Sequence, residues 1–190
     1  LFGDVNPAGK LPLTFPLKAD RIPTRTPQQW PGINGKSIYS EKLNVGYRWY
    51  DATGTEPLFP FGFGLSYTTF RLSHLVVTPT SMSKGTGAIH GTVDVTNTGH
   101  RAGAEVVEAY VTQPSGNGEP PRQLCAFAKV FLKPGETRHV GLTISPRSLS
   151  FYDASAHRWT LDAGTYRVLV GTSSRSLPLH RDVTITEGTN

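Results

Sequence analysis

Hydrolysis of a glycosidic bond needs two carboxylates, one as acid and one as nucleophile or base. Asp4, Glu41, Asp51 and Glu56 are among the carboxylates in the first third of this 190-residue sequence. Glu41 precedes the aromatic stretch Tyr47-Arg48-Trp49-Tyr50-Asp51, and aromatic rings stack on sugars, so Glu41 with Asp51 is the one catalytic pair the residues suggest. The competing reading, which we favour, makes both of them hydrogen-bonded loop carboxylates near a domain junction. Other chemistries find less support. His74, His90, His100, His139, His157 and His180 show no HxxxH or HExxH spacing. His90 and His139 fall on the outward parity of alternating segments. Ser66, Ser148 and Ser150 lack a GxSxG setting. Gly62-Phe63-Gly64 lacks the strand-to-helix setting of a phosphate loop, and its glycines suit tight turns beside bulky rings. Cys125, the sole cysteine, excludes an internal disulfide and a cysteine metal site, and inside a strand pattern it reads as inert. No metal ligand set and no cofactor motif emerges. Tyr152-Asp153 and Trp159 lie between two strands, with Trp159 expected as a core or corner aromatic.

The elements that must hold these residues fall into two regions of different grammar. Up to about residue 70 the chain is punctuated by Pro, Gly and aromatics. Asn6-Pro7-Ala8-Gly9 marks a turn, and residues 10–16 alternate as one short strand whose two prolines confine it to an edge. Residues 17–38 read as loop, and residues 45–50 as extended and aromatic. Residues 57–67, with prolines and glycines among Phe59, Phe61 and Phe63, cannot form a regular helix. One strand cannot cover so many apolar side chains. This first region therefore packs on the second or belongs to a domain whose remainder is elsewhere, and the latter option is favoured.

From residue 70 onward the hydrophobicity alternates with period two. Ile89/Val93/Val95, Val107/Ala109/Val111, Val140/Leu142/Ile144, Tyr166/Val168/Val170 and Leu177/Leu179/Val183/Ile185 each share a face. Turn signals separate them at Asn97-Thr98-Gly99, at residues 114–118, at Lys133-Pro134-Gly135-Glu136, at Asp162-Ala163-Gly164 and at Gly171-Thr172-Ser173. With residues 70–77 and 124–132 this makes about seven strands, wet on one face, in an immunoglobulin-like sandwich. Without a Cys-Trp-Cys pattern the fibronectin type III-like variety is expected. The division is 1–67 and 68–190. Tyr110 is the one aromatic on the outward parity of a clear strand.

Composition narrows the classes further. Hydrophobic residues are 37% and charged residues 17%, which suits a globular chain, and Gly 20 with Pro 15 favours short strands over long helices. The net charge of +5 is scattered, with no basic run of five or more, so a nucleic-acid partner is not expected. No apolar run approaches the roughly 18 residues of a membrane span. The sequence opens on Leu1 with no leader pattern behind it, and reads as a piece of a longer protein.

These segments resemble a known family. Residues 1–16, LFGDVNPAGKLPLTFP, are similar to a junction in family 3 glycoside hydrolases, the β-glucosidases and their relatives. Tyr39-Ser40-Glu41, Val45-Gly46-Tyr47-Arg48-Trp49-Tyr50-Asp51 and residues 57–68, PLFPFGFGLSYT, resemble the run that closes the second core domain of those enzymes. Residues 68–190 resemble their C-terminal fibronectin type III-like domain through Val95-Thr96-Asn97-Thr98-Gly99, Gly103-Ala104-Glu105-Val106-Val107, Leu132-Lys133-Pro134-Gly135-Glu136 and Gly171-Thr172-Ser173-Ser174-Arg175. Lys42 and Ala126 depart from glycines usual in the family. The resemblance implies a mainly β chain: the end of an α/β sandwich domain with an aromatic linker, then a sandwich of about seven strands. It implies a parent enzyme that retains configuration, with an Asp nucleophile on a barrel-type first domain and a Glu acid/base on the α/β second domain, both upstream of Leu1. Glu41 matches neither, so no catalytic residue is transferred, and the segment's task is structural. The implied partners are the upstream catalytic domains and, through them, a β-glucoside or oligosaccharide. Family habit favours a secreted or periplasmic location. The alternative is a stand-alone sandwich binding carbohydrate or protein, for which Tyr110 is the thin support.

Overall fold

A computed structural model describes residues 3–85, 87–114 and 118–188. Leu1 and Phe2 of the junction run, and residues 115–117 of one expected turn, lie outside them. The elements in chain order are helix α1 (Tyr47–Thr53), strands β1 (Phe70–Thr78), β2 (Ser81–Ser83), β3 (Ile89–Asn97), β4 (Gly103–Thr112), β5 (Gln123–Leu132) and β6 (Thr137–Ile144), helix α2 (Pro146–Leu149), and strands β7 (Phe151–Asp153), β8 (Arg158–Thr160), β9 (Gly164–Gly171) and β10 (Leu179–Thr186).

Two sheets face each other. One has the order β1-β3-β6, the other β2-β10-β9-β4-β5, and β7-β8 forms a separate hairpin. The seven expected strands are β1, β3, β4, β5, β6, β9 and β10, while β2, β7 and β8 are additions too short to show alternation. The inward residues are those read from the alternation: Val93 and Val95, Val107 and Val111, Leu142 and Ile144, Val168 and Val170, and Val183 and Ile185 are all buried. Burying apolar surface at roughly 25 cal/mol per Å² is what holds the two sheets together.

Two details fasten the strand connections. Lys133-Pro134-Gly135-Glu136 closes with a Glu136 N–H to Lys133 C=O bond of 3.0 Å, and Gly135 takes φ 74, the left-handed third position of a type II turn. Tyr166, at the start of β9, donates its hydroxyl to the Asp162 carbonyl at 3.0 Å. That is a tyrosine corner, a device of immunoglobulin-like sandwiches.

Several expectations are corrected. Residues 45–50 are not extended, because Tyr47–Thr53 is a helix ended by Gly54 in the left-handed conformation. Residues 10–16 form no regular strand. They run beside residues 58–63 as an irregular ribbon with one bridge, Phe15 to Phe59, and bonds Leu11 N–H to Phe63 C=O and Gly62 N–H to Leu11 C=O. Trp159 is no core residue: it is half-exposed on β8, beside Tyr152 and with the Arg147 guanidinium 3.2 Å from its ring centre. Tyr110 does point away from the core, yet it is fully buried. The three-stranded sheet is wet on its outer face as expected, but the outer face of the five-stranded sheet is covered along β4 by the first region.

Candidate functional site

The contact of residues 3–67 with the outer face of β4 and β5 and with the loop after β9 gathers the candidate residues. Helix α1 places Tyr47 and Asp51 on one side, because residues four apart share a helix face. The Tyr47 ring meets Tyr110 edge-on at 5.6 Å and Phe61 at 5.3 Å, and its hydroxyl accepts from the Leu124 amide at 2.8 Å. One turn on, both Asp51 oxygens accept from Arg122, Nε and Nη2, each at 2.7 Å. The Asp51 side chain is only 2% exposed, and Arg175 Nε adds a second cation at 3.6 Å. The paired carboxylate holds the Arg122 guanidinium even more firmly protonated than usual.

The loop between β9 and β10 grips the same region. Arg175 Nη2 donates to the carbonyls of Thr55 at 2.8 Å and Tyr50 at 3.3 Å, Ser174 N–H donates to Phe61 C=O at 2.9 Å, and Lys10 Nζ reaches Thr172 C=O at 3.1 Å. Lys10 also pairs with Glu105 at 2.8 Å. Asn6 donates to Ala102 C=O at 3.0 Å and accepts from Tyr67 N–H at 2.8 Å. The Asn97-Thr98-Gly99 turn is completed by Asn97, which is buried. It donates to Arg101 C=O and Leu132 C=O and accepts the Thr68 hydroxyl at 2.7 Å.

Glu108 lies under this contact. It is buried, and its Oε2 accepts the Tyr110 hydroxyl at 2.6 Å. Removal from water pushes its pKa up to about 7, although the Tyr110 bond and nearby Lys10 pull the other way. Burial, and then the carboxylate itself, push the Tyr110 phenol up as well. Gly62 sits directly over the carboxyl group with φ 81, and a Cβ there would lie 2.8 Å from Glu108 Cδ.

The one carboxylate pair that the residues suggest is thus divided between two places. Asp51 is consumed by Arg122. Glu41 accepts a long bond of 3.5 Å from Gln29 Nε2 and lines a depression of about 450 Å³ with Ser40, Trp49 and Arg25, whose guanidinium lies 5.1 Å from the Trp49 ring centre. Cys125 occupies the β4–β5 bulge, and burial pushes its thiol up to about 12. His90 and His139 are exposed as expected, but His139 and His74 both present Nδ1 to Asp94, a cluster that strand parity alone does not reveal. Among the described residues no group of three or more His, Cys, Asp or Glu is arranged to hold a metal ion, and no helix is long and apolar enough to cross a membrane. Residue types and spacing do not single out Glu108, Arg122 or Arg175. The one signal for Glu108 is a carboxylate inside the otherwise apolar run 106–111.

The "Glycosyl hydrolase family 3 C-terminal domain" profile matches residues 1–67, and the "Fibronectin type III-like domain" profile matches residues 105–174. The chain is 46% identical over 177 residues to a beta-glucosidase of Rhizobium radiobacter, covering 92% of this chain and 21% of that protein. It is 41% identical to thermostable beta-glucosidase B of Acetivibrio thermocellus, covering 97% and 24%. Among solved structures it superposes on DesR, a beta-glucosidase from Streptomyces venezuelae in complex with D-glucose, with a TM-score of 0.91 and 37% identity, over 97% of this chain and 24% of that one. It also superposes on beta-glucosidase 3B of Thermotoga neapolitana, with a TM-score of 0.87 and 39% identity over 97% and 25%. The chain therefore spans about a quarter of the length of the relatives it matches.

Proposed function

Because the chain belongs to the C-terminal portion of glycosyl hydrolase family 3, we propose that its parent protein is a β-glucosidase-like enzyme. The parent removes terminal β-linked glucosyl residues with retention of configuration, and works outside the cytoplasm as a secreted or periplasmic protein. In this reading residues 1–67 close the α/β second core domain and its linker, and residues 68–190 are the sandwich that the linker fastens to it. The segment supplies no catalytic carboxylate and needs no cofactor. Its task is to hold the last part of the core in place.

The observation that carries this reading is the fate of the outer face of β4. Tyr110 and Glu108 are buried there beneath Tyr47, Phe61 and Gly62, and Asp51 is locked to Arg122. A free binding module would keep such a face open to its ligand. The stand-alone alternative loses its one candidate aromatic in this way.

The test is hydrolysis of a chromogenic aryl β-glucoside by this chain and by a version extended upstream to the whole parent. The expected result is turnover by the long protein alone, unchanged within about twofold by Glu41→Gln, since a carboxylate outside the chemistry contributes little to kcat. Turnover by the short chain, abolished by Glu41→Gln, would overturn the reading.

A further inference from the structure

Hairpin β7–β8 contributes no side chain to the buried core. Its strands have three residues each, and so short a ribbon is marginal by itself. It is nevertheless held in one shape from both ends. Leu149, fully buried, anchors α2 just before it, and Ser145 caps that helix by accepting the Ser148 N–H at 3.3 Å. At the hairpin turn Asp153 Oδ1 accepts from the Ser155 N–H, the Ser155 hydroxyl and the Ala156 N–H, at 2.9, 2.6 and 3.0 Å. This frame presents a pair of rings. Tyr152 and Trp159 stand opposite each other in register, and therefore on one face of the ribbon. Their centroids are 5.4 Å apart and their planes are tilted by 53°. Tyr152 is 48% exposed and Trp159 45% exposed. The Arg147 guanidinium lies over Trp159, 3.2 Å from the ring centre. It closes one face of the indole, so the exposed part is the side that Arg147 leaves free.

We propose that Tyr152 and Trp159, with Arg147 at their rim, form a carbohydrate-binding site that takes a single soluble β-linked glucan chain. The choice of β-linked glucose rests on the reading of the parent as a β-glucosidase-like enzyme. The size of the patch selects a small ligand over a protein. A buried aromatic residue covers roughly 150–250 Å², so two half-exposed rings offer about 200 Å². A stable protein partner, or a second copy of this chain, needs about 800 Å² on each side. The chemistry then selects a sugar. Aromatic faces carry the negative side of the ring quadrupole, and β-linked glucose, its hydroxyls equatorial, turns C–H groups toward both faces of its ring. A sugar also needs hydrogen-bonding groups around that flat contact. Arg147 supplies N–H donors in the plane of its guanidinium, and Tyr152 supplies a hydroxyl that donates and accepts. Tyr and Trp have only two side-chain torsions to fix, and the capped helix and the hydrogen-bonded turn fix the backbone beneath them, so little order is lost on binding. The tilt selects the form of the glucan. Rings inclined at 53° cannot lie together on the flat face of crystalline cellulose, whereas they meet successive residues of one twisted chain.

The test is a fluorescence titration of this chain with cellohexaose, and with isomaltohexaose as the α-linked control. Cellohexaose should bind with half-saturation on the order of 1 mM, because two open rings leave much of the ligand in water. Isomaltohexaose should bind at least about fivefold more weakly. Trp159→Ala should weaken cellohexaose binding at least about tenfold, and Trp159→Phe by no more than about threefold. The alanine variant also removes half of the cross-strand pair that steadies the hairpin, so a second measurement keeps the hairpin intact. Trp30 is exposed and is replaced by Phe, while Trp49 is buried, which leaves Trp159 as the accessible indole. Its oxidation by N-bromosuccinimide should be slowed at least about threefold by saturating cellohexaose and left unchanged by isomaltohexaose. Equal binding of the two sugars, undiminished binding by Trp159→Ala, or oxidation that cellohexaose does not slow would overturn the proposal. So would firmer retention on crystalline cellulose than on the soluble chain, or a dimer of this chain that Trp159→Ala dissolves. Aryl β-glucosidase activity of the full parent is measured separately. Activity without cellohexaose binding by this chain refutes the site and keeps the hydrolase reading, and binding without activity does the reverse.

Discussion

Glu108→Gln should make this chain more stable by an amount that grows as the pH rises from about 4.5 and levels off above about 7. The buried carboxylate has its pKa raised from the ordinary 4.5 to about 7. Between those values the folded chain keeps a proton that the unfolded chain has released. Stability contributed by this group is therefore full below about 4.5 and is lost as pH rises through about 7. At about 1.4 kcal/mol per pH unit of difference, the loss amounts to about 3 kcal/mol. Gln keeps the shape, stays neutral and can still accept the Tyr110 hydroxyl. Urea unfolding of both proteins at pH 5, 6, 7 and 8.5 measures the difference. Relative to their difference at pH 5, which is under about 1 kcal/mol, the variants should diverge through pH 6 and 7 and differ by about 3 kcal/mol at 8.5 in favour of Gln. A difference that is flat with pH, or a Gln variant weaker at 8.5, would refute the argument that desolvation dominates over Tyr110 and Lys10 at this site.

The other perturbations test the same contact from different sides. Asp51→Ala strands Arg122 and Arg175 under α1 and should cost about 3 kcal/mol in denaturant unfolding, near the lower end for a buried pair because Arg122 still touches water. Gly62→Ala should cost about 2–3 kcal/mol from its left-handed φ and the overlap with Glu108, and part of that should return when Glu108 is also Ala in a double-mutant cycle. Trp49→Ala removes a buried ring packed edge-on against Tyr50 and should cost about 3–5 kcal/mol, while leaving turnover of the full parent intact at temperatures where it stays folded.

Much of the sandwich was legible because its information is local. Alternation in β3, β6 and β9 survives folding unchanged: one face meets the core and the other meets water. Pro134-Gly135 announces its turn for an equally local reason, since one residue fixes φ and the next permits its positive value. The junction was less legible. Tyr47 and Asp51 carried a helical spacing, and Gly54 a helix end, but the density of aromatics over residues 45–50 read more strongly as strand. Trp159 departs from the expectation because a tryptophan between strands is ordinarily core or corner, whereas here Arg147 covers one face of the ring and leaves it half in water.

By itself the sequence determined the two-sheet β architecture, its main strands and turns, and, through motif resemblance, the hydrolase family. Periodicity, turn chemistry and motif order all lie along the chain. Only the tertiary structure decided what lies against the outer face of β4. Tyr110 carries the parity of a wet residue, and nothing within ten residues of it says otherwise. Tyr47, itself backed by Phe61, lies against it, and Asp51 finds Arg122 71 residues away. Whether a polar residue on a sheet face is wet or buried depends on a second layer drawn from a distant part of the chain. That layer converts Glu108 from a solvated carboxylate into one titrating near neutrality, and Asp51 from a catalytic candidate into the anchor of the junction.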